Sequence, residues 1–143
     1  MSEPTVRHEI TNEHREYAAN ALNSLPFAQL IGMKLVGLEL DEAKISIEMR
    51  DDLRQPSGVL HGGVTATLID TAMAFAVRTR LEKTAATATI DLTVHYLRPH
   101  TAGLATCTAK VVRAGKRIFT VSAEVHNEDG KLIATGLSTY TRV

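Results

Sequence analysis

His61-Gly62-Gly63 leads into Val64-Thr65-Ala66-Thr67-Leu68-Ile69-Asp70-Thr71-Ala72-Met73-Ala74-Phe75-Ala76-Val77, a stretch that reads as a buried helix with a carboxylate near its middle. The run is apolar or small nearly all round, so it offers no solvent face for Asp70. Burying a carboxylate is costly unless hydrogen bonds or opposite charge offset the lost hydration. Asp70 therefore needs a structural partner, such as Thr67, Thr71 or backbone, or else a chemical task. The two glycines at the helix start favour the task, because bare N–H groups there attract a developing oxyanion.

Outward from this helix, the hydrophobic periodicity sets the rest of the chain. Thr11 is a plausible N-cap for a helix carrying Tyr17, Ala18, Ala21, Leu22 and Leu25 at helical spacing. Ser24 and Pro26 restart a short helix that Gly32 can stop, so residues 11–32 form an N-terminal helical segment, and the first ten residues read as loosely ordered. Residues 34–40 and the alternating Ala43, Ile45, Ile47 and Met49 predict two strands joined at Asp41-Glu42. A polar loop over 51–58, with Pro56 and Gly58, delivers the chain to the long helix, which the pattern extends over 62–81.

Strands with period-two alternation follow. Ile90, Leu92, Val94 and Tyr96 face one way, and Thr89, Asp91, Thr93 and His95 the other. Ala105, Cys107, Ala109 and Val111 mark the next strand, then Phe119, Val121, Ala123 and Val125. The last covers 132–141 after the turn Asn127-Glu128-Asp129-Gly130. The order is α+β: an extra N-terminal helix, two strands, one long buried helix, and a meander of about four strands. An antiparallel sheet wrapped around the helix buries it. No repeat, linker or low-complexity segment divides the 143 residues, which read as a single domain.

Composition excludes several classes of function. The 44% hydrophobic content is ordinary for a globular chain, and the 16 basic and 16 acidic residues cancel without a long like-charge run. That argues against a dedicated nucleic-acid or anionic-membrane binder, while local basic positions remain able to hold a phosphorylated small ligand. The single cysteine, Cys107, permits neither an internal disulfide nor a zinc cluster and reads as a small core residue. His8, His14, His95, His100 and His126 lack the paired spacing of metal ligands, so no metal is expected. Met1-Ser2-Glu3-Pro4 lacks the basic and apolar regions of a signal peptide, and the longest apolar run is too short to span a bilayer. A cytoplasmic location is the expectation.

Gly62 and Asp70 are eight residues apart, about 12 Å along a helix. Groups acting on one carbonyl must each lie roughly 3 Å from it, so within one chain these two cannot meet. A second copy of the helix, packed antiparallel, would set one chain's Gly62 beside the other's Asp70 and create two such sites by twofold symmetry. If both groups act together, the protein is at least a homodimer.

The stretch from Gln55-Pro56-Ser57-Gly58 through His61-Gly62-Gly63 to Asp70 resembles the signature of hotdog-fold acyl-CoA thioesterases. The nearest branches are the PaaI type of phenylacetate degradation and the human thioesterase superfamily member 2 type. The resemblance runs from about Phe27 to the C-terminus. It includes Thr89-Ile90-Asp91-Leu92, Tyr96-Leu97-Arg98-Pro99 and Asp129-Gly130. It implies a six-stranded sheet around the long helix, dimers that pair into homotetramers, active sites shared across the dimer interface, and no cofactor beyond the coenzyme A of the substrate. By position it implies that the Gly62 N–H polarises the thioester carbonyl and that Asp70 is the catalytic carboxylate. It also implies that Gln55 orients substrate or water and that Thr89 helps hold the attacking water.

Other residues have plainer alternatives. His61 reads either as a general acid or as a hydrogen-bonded anchor for the loop. Gly63 serves tight entry into the helix or lies against substrate. Met73, Ala74 and Phe75 are core or acyl-pocket wall, and Arg98, Arg113, Lys116 and Arg117 are solvated cations or partners of coenzyme A phosphates. Two rival functions share the fold: a noncatalytic acyl-CoA-binding module, and a hydratase or dehydratase. The latter needs an Asp–His pair, and His61 lies more than two helical turns from Asp70.

Overall fold

Thr11 opens the first helix, α1 (Asn12–Asn23), through a capping box: its hydroxyl accepts from the His14 N–H, and the His14 ring accepts from the Thr11 N–H. The computed structural model describes residues 9–143, so the reading of Met1–Pro4, and the expectation of a loosely ordered first ten residues over 1–8, fall outside the described ones. Within them the chain is already anchored at Ile10, which is buried in the core. Pro26 begins α2 (Pro26–Ile31), and Gly32 ends it at φ 83°, the left-handed conformation that a Cβ disfavours. Arg50 closes the same end by donating to the Ile31 carbonyl at 2.8 Å.

Six antiparallel strands form one sheet in the order β1-β2-β4-β5-β6-β3. They are β1 (Lys34–Glu39), β2 (Glu42–Glu48), β3 (Thr87–Tyr96), β4 (Leu104–Ala114), β5 (Ile118–Asn127) and β6 (Leu132–Arg142). The alternation read from sequence holds in β2, β4 and β5, where Ala43, Ile45, Ile47, Ala105, Cys107, Ala109, Phe119, Val121, Ala123 and Val125 are buried against the helix. Asp41 turns the β1–β2 hairpin at φ 67° and makes a bidentate pair with Arg80, its Oδ2 2.7 Å from Nη2. That pair ties the hairpin to the chain leaving the central helix.

The central helix, α3 (Gly62–Arg78), stops three residues earlier than its apolar pattern suggests. Thr79 donates its hydroxyl to the Ala76 carbonyl, and the following N–H groups of Arg80 and Leu81 reach Val77 and Arg78, so the last turn tightens to i→i+3 bonding. Thr65, Leu68, Ile69, Ala72, Met73, Ala76 and Val77 are buried. The opposite face, carrying Thr67, Asp70, Thr71, Ala74 and Phe75, is only half-buried in the protomer. The helix is therefore not enclosed all round. The sheet curls over one side and leaves a stripe of mostly small residues uncovered. At Gly136 of β6 the packing is closest: a Cβ there would lie 2.7 Å from Ile69 Cγ2.

β3 departs from the simple alternation. Its pairing with β6 shifts register between Thr89 and Asp91, so Ile90 is the extra residue of a bulge. Thr89 consequently turns to the helix side with Leu92 and Val94, its hydroxyl reaching Asp70 although the residue stays exposed. Ile90 is 55% exposed on the other side, the reverse of the strict period-two expectation for these two residues. The Asp91 carboxylate accepts from the Thr139 N–H at 2.8 Å and holds the bulge in place.

Candidate active site

The head of α3 is built by a braced loop. Arg54 donates to the Gly58 and Thr101 carbonyls at 2.7 and 2.9 Å, while the Leu60 and His61 N–H groups pair with His100 and Leu53 carbonyls. This delivers His61 as the N-cap of α3, with its Nδ1 accepting from the Gly63 N–H at 2.8 Å. His61 thus caps the helix through Nδ1, the geometry of a loop anchor. A Cβ on Gly63 would sit 3.0 Å from that ring nitrogen, so the second glycine serves the cap, and its N–H is spent there.

Gly62 differs. Among the described residues its N–H has no hydrogen-bond partner, and it lies at the positive end of a 17-residue helix. Tyr96, at the end of β3, donates its hydroxyl to the Gly62 carbonyl at 2.6 Å, and a Cβ on Gly62 would meet that hydroxyl at 3.2 Å. The glycine lets the Tyr96 ring lie against the helix head. Nothing in the strand pattern marked Tyr96 for this task; it stood there as one alternating aromatic.

A cavity of about 480 Å³ opens here, lined by Gln55, Gly62, Gly63, Tyr96, Arg98 and His100 among others. Gln55 is bound up in its own turn, its Oε1 accepting from the Ser57 N–H at 2.7 Å and its Nε2 donating to the Ser57 hydroxyl. Arg98 donates to the Leu132 carbonyl at 2.7 Å and stays exposed at the rim. One protomer therefore gathers Gln55, Gly62, Gly63 and Arg98, with His61 as the cap beneath them.

Asp70 and Thr89 form a second group, absent from the lining of that cavity. Asp70 Oδ1 accepts from the Thr89 hydroxyl at 2.8 Å and from the Tyr140 hydroxyl. Tyr140 also reaches the Asp70 carbonyl at 2.6 Å. The helical alternatives Thr67 and Thr71 bond instead to the Gly63 and Thr67 carbonyls, so the carboxylate is held from the sheet. Asp70 Oδ2 has no partner among the described residues and is not a buried atom. Tyr140 is 1% exposed, and burial, followed by its bond to Asp70, pushes the phenol above its ordinary range. The sequence reading missed Tyr140; the only signal available was a polar-tipped aromatic near the end of the last strand.

Other candidate residues stand apart from that cavity. Met73 is fully buried in the core, the plainer of its two readings, with its methyl near Gly136. Arg117 lies in the β4–β5 turn beside the end of β6, away from the cavity at Gly62, because its strands run to the opposite end of the sheet. Phe75 borders a separate cavity of about 300 Å³ between α1 and the end of α3. Ala74 is half-buried one turn beyond Asp70 on the same uncovered face. Cys107 is a core residue whose thiol is pushed up to about 12 by burial. Among the described residues no cluster of His, Cys, Asp or Glu could hold a metal ion, and no helix is long and apolar enough to cross a membrane.

A six-stranded antiparallel sheet curled over one long helix is the hotdog fold, and the relatives of this chain make it a thioester hydrolase. The chain belongs to the thioesterase superfamily, whose family model matches residues 57–134. It is 30% identical over 134 residues to the medium/long-chain acyl-CoA thioesterase YigI of Escherichia coli, covering 81% of this chain and 84% of that protein. It is 28% identical over 105 residues to the 1,4-dihydroxy-2-naphthoyl-CoA hydrolase of Listeria monocytogenes, covering 73% and 85%. The fold also matches that of the E. coli PaaI protein from the phenylacetic acid degradation operon, with a TM-score of 0.83 at 24% identity over 90% and 92% of the two chains.

Proposed function

We propose that the protein hydrolyses the thioester of an acyl- or aryl-acyl-CoA to the free acid and coenzyme A, in a site that two protomers share. One observation carries this reading. A free peptide N–H and a carboxylate with one open oxygen stand on the same helix, yet about 12 Å apart, too far to act on one carbonyl unless a second helix is present. Packed antiparallel along the uncovered face, a second α3 would bring Gly62 of one protomer to Asp70 of its partner. Ile90, Tyr96 and Leu97, exposed on or beside the edge strand β3, with Leu137 on the adjacent strand, supply further apolar surface for that contact. Pairing of dimers into tetramers is the fuller expectation.

In the shared site the thioester oxygen accepts from the Gly62 N–H at the positive end of α3. Asp70 Oδ2 takes a proton from water as the water oxygen adds to the carbonyl carbon, or it adds itself to give an anhydride that water then cleaves. Collapse of the tetrahedral intermediate breaks the C–S bond, and the coenzyme A thiolate takes up the proton. Thr89, whose hydroxyl proton is committed to Asp70, keeps lone pairs that can accept from the water. Gln55 turns from its local bonds to steady substrate or water. His61 acts through the cap, fixing the direction of the Gly62 N–H. Arg98 at the rim faces the phosphates. The chemistry draws on no metal or redox group.

Two acyl-CoA hydrolases among the relatives support the substrate class, one with medium or long chains and one with an aromatic acid by name. The test is a panel of phenylacetyl-, aroyl- and C4–C16 acyl-CoA substrates followed by free-thiol release. Turnover with at least one is expected. Ligand recovered intact after long incubation across the panel would mark the protein as a binding module instead.

A further inference from the structure

We propose that Tyr140 is a positioning residue of the hydrolytic reaction: together with Thr89 it pins Oδ1 of Asp70, so that Oδ2 is the oxygen presented to the reacting centre. The inference rests on the proposed role of Asp70 and adds to it the reason that one particular oxygen reacts.

The geometry is specific. Tyr140 and Thr89 are cross-strand partners on β6 and β3, brought to the same face by the bulge at Ile90. Both hydroxyls donate to a single carboxylate oxygen, Asp70 Oδ1, and the Tyr140 hydroxyl also lies within reach of the Asp70 carbonyl. Two donors from a rigid sheet fix both side-chain torsions of a residue on the helix, while Oδ2 keeps no partner among the described residues. Hydrogen bonds to a carboxylate are the stronger kind, so the two hydroxyls hold its orientation firmly. A tyrosine held this way donates throughout the range in which a thioester hydrolase works, because its own phenol is held above its ordinary range. The mechanism uses Tyr140 for nothing else, and as a mere core filler phenylalanine would occupy the same space without a buried hydroxyl to satisfy.

The test is steady-state kinetics of Tyr140→Phe, with kcat and KM separated, beside Asp70→Asn, with thermal melts of each. For Tyr140→Phe we expect kcat about tenfold lower with KM unchanged, the scale of one lost hydrogen bond to a charged group. A purely structural role would lower the melting temperature and leave kcat of the folded enzyme at its native value. Should Tyr140→Phe not fold, 4-aminophenylalanine placed at position 140 keeps the shape with a weaker donor, and kcat should then fall severalfold with KM unchanged. Native kcat in folded Tyr140→Phe, or with 4-aminophenylalanine, overturns the inference. The two failures separate cleanly: full activity in Asp70→Asn removes the catalytic carboxylate itself, whereas an inactive Asp70→Asn beside an unaltered Tyr140→Phe removes only the positioning role.

Discussion

At the scale of single residues, the two oxygens of Asp70 have different fates. Oδ1 is saturated by sheet hydroxyls, and Oδ2 is open on the uncovered face of α3. Asparagine preserves the size of the side chain and can still accept from Thr89 and Tyr140 through its carbonyl oxygen, but it presents an NH₂ where a base or nucleophile is required. Asp70→Asn should therefore lower kcat by about 10²–10⁴-fold, the usual weight of a general base, with circular dichroism and assembly unchanged. Cys107 illustrates the opposite case, a titratable group with no chemistry. Its folded pKa is raised from 9.0 to about 12 by burial, so above pH 9 the unfolded chain loses a proton that the folded chain keeps. Stability is unaffected by this group below pH 9 and declines as pH climbs from 9 toward 12. Denaturant titrations across that interval should show a shallower decline in Cys107→Ala than in the native chain. A residual slope is expected from Tyr140, which is raised as well.

At the scale of elements, α3 combines two functions at its ends and flank, and its first residue can be changed without breaking it. Proline is well tolerated at the first helical position, and His61 before it already has the extended φ −58° and ψ 130° that a following proline requires. Gly62→Pro should keep the helix but remove the N–H, lowering kcat by about 10²–10³-fold, the cost of one oxyanion donor. Gly62→Ala, which retains the N–H and asks Tyr96 to yield a few tenths of an ångström, should keep much more of the activity. Thiol release by the two variants at matched helicity makes the comparison. The same element shows what sequence could and could not disclose. The apolar run, Asp70, the glycine pair and the strand alternation in β2, β4 and β5 were legible because each is a local pattern. The inward turn of Thr89 was not, since a bulge changes register without any change in composition. Tyr140 and Tyr96 were not legible either, because their hydroxyls find Asp70 and Gly62 across 70 and 34 residues of chain. Whether α3 is covered all round is likewise a property of sheet curvature, and the apolar pattern alone overstated it.

At the scale of the whole molecule, Gly62 and Asp70 stand apart on α3, beside a stripe of small residues that nothing among the described residues covers. The proposed dimer answers that arrangement, and it makes a prediction that a site within one protomer cannot share. Asp70→Asn chains retain the Gly62 donor, and Gly62→Pro chains retain the Asp70 carboxylate. Each homodimer is defective at both sites. A hybrid dimer has one site carrying both defects and one site carrying neither, because each site draws its donor from one chain and its carboxylate from the other. Unfolding the two inactive variants together and refolding them should give hybrids as half of all dimers, each with one working site of two, and so about a quarter of native activity per chain. If donor and carboxylate acted within a single protomer, the mixture would stay as inactive as its parents. Refolding each variant alone controls for recovery, and size-exclusion chromatography with light scattering confirms that the mixture assembles as the native protein does.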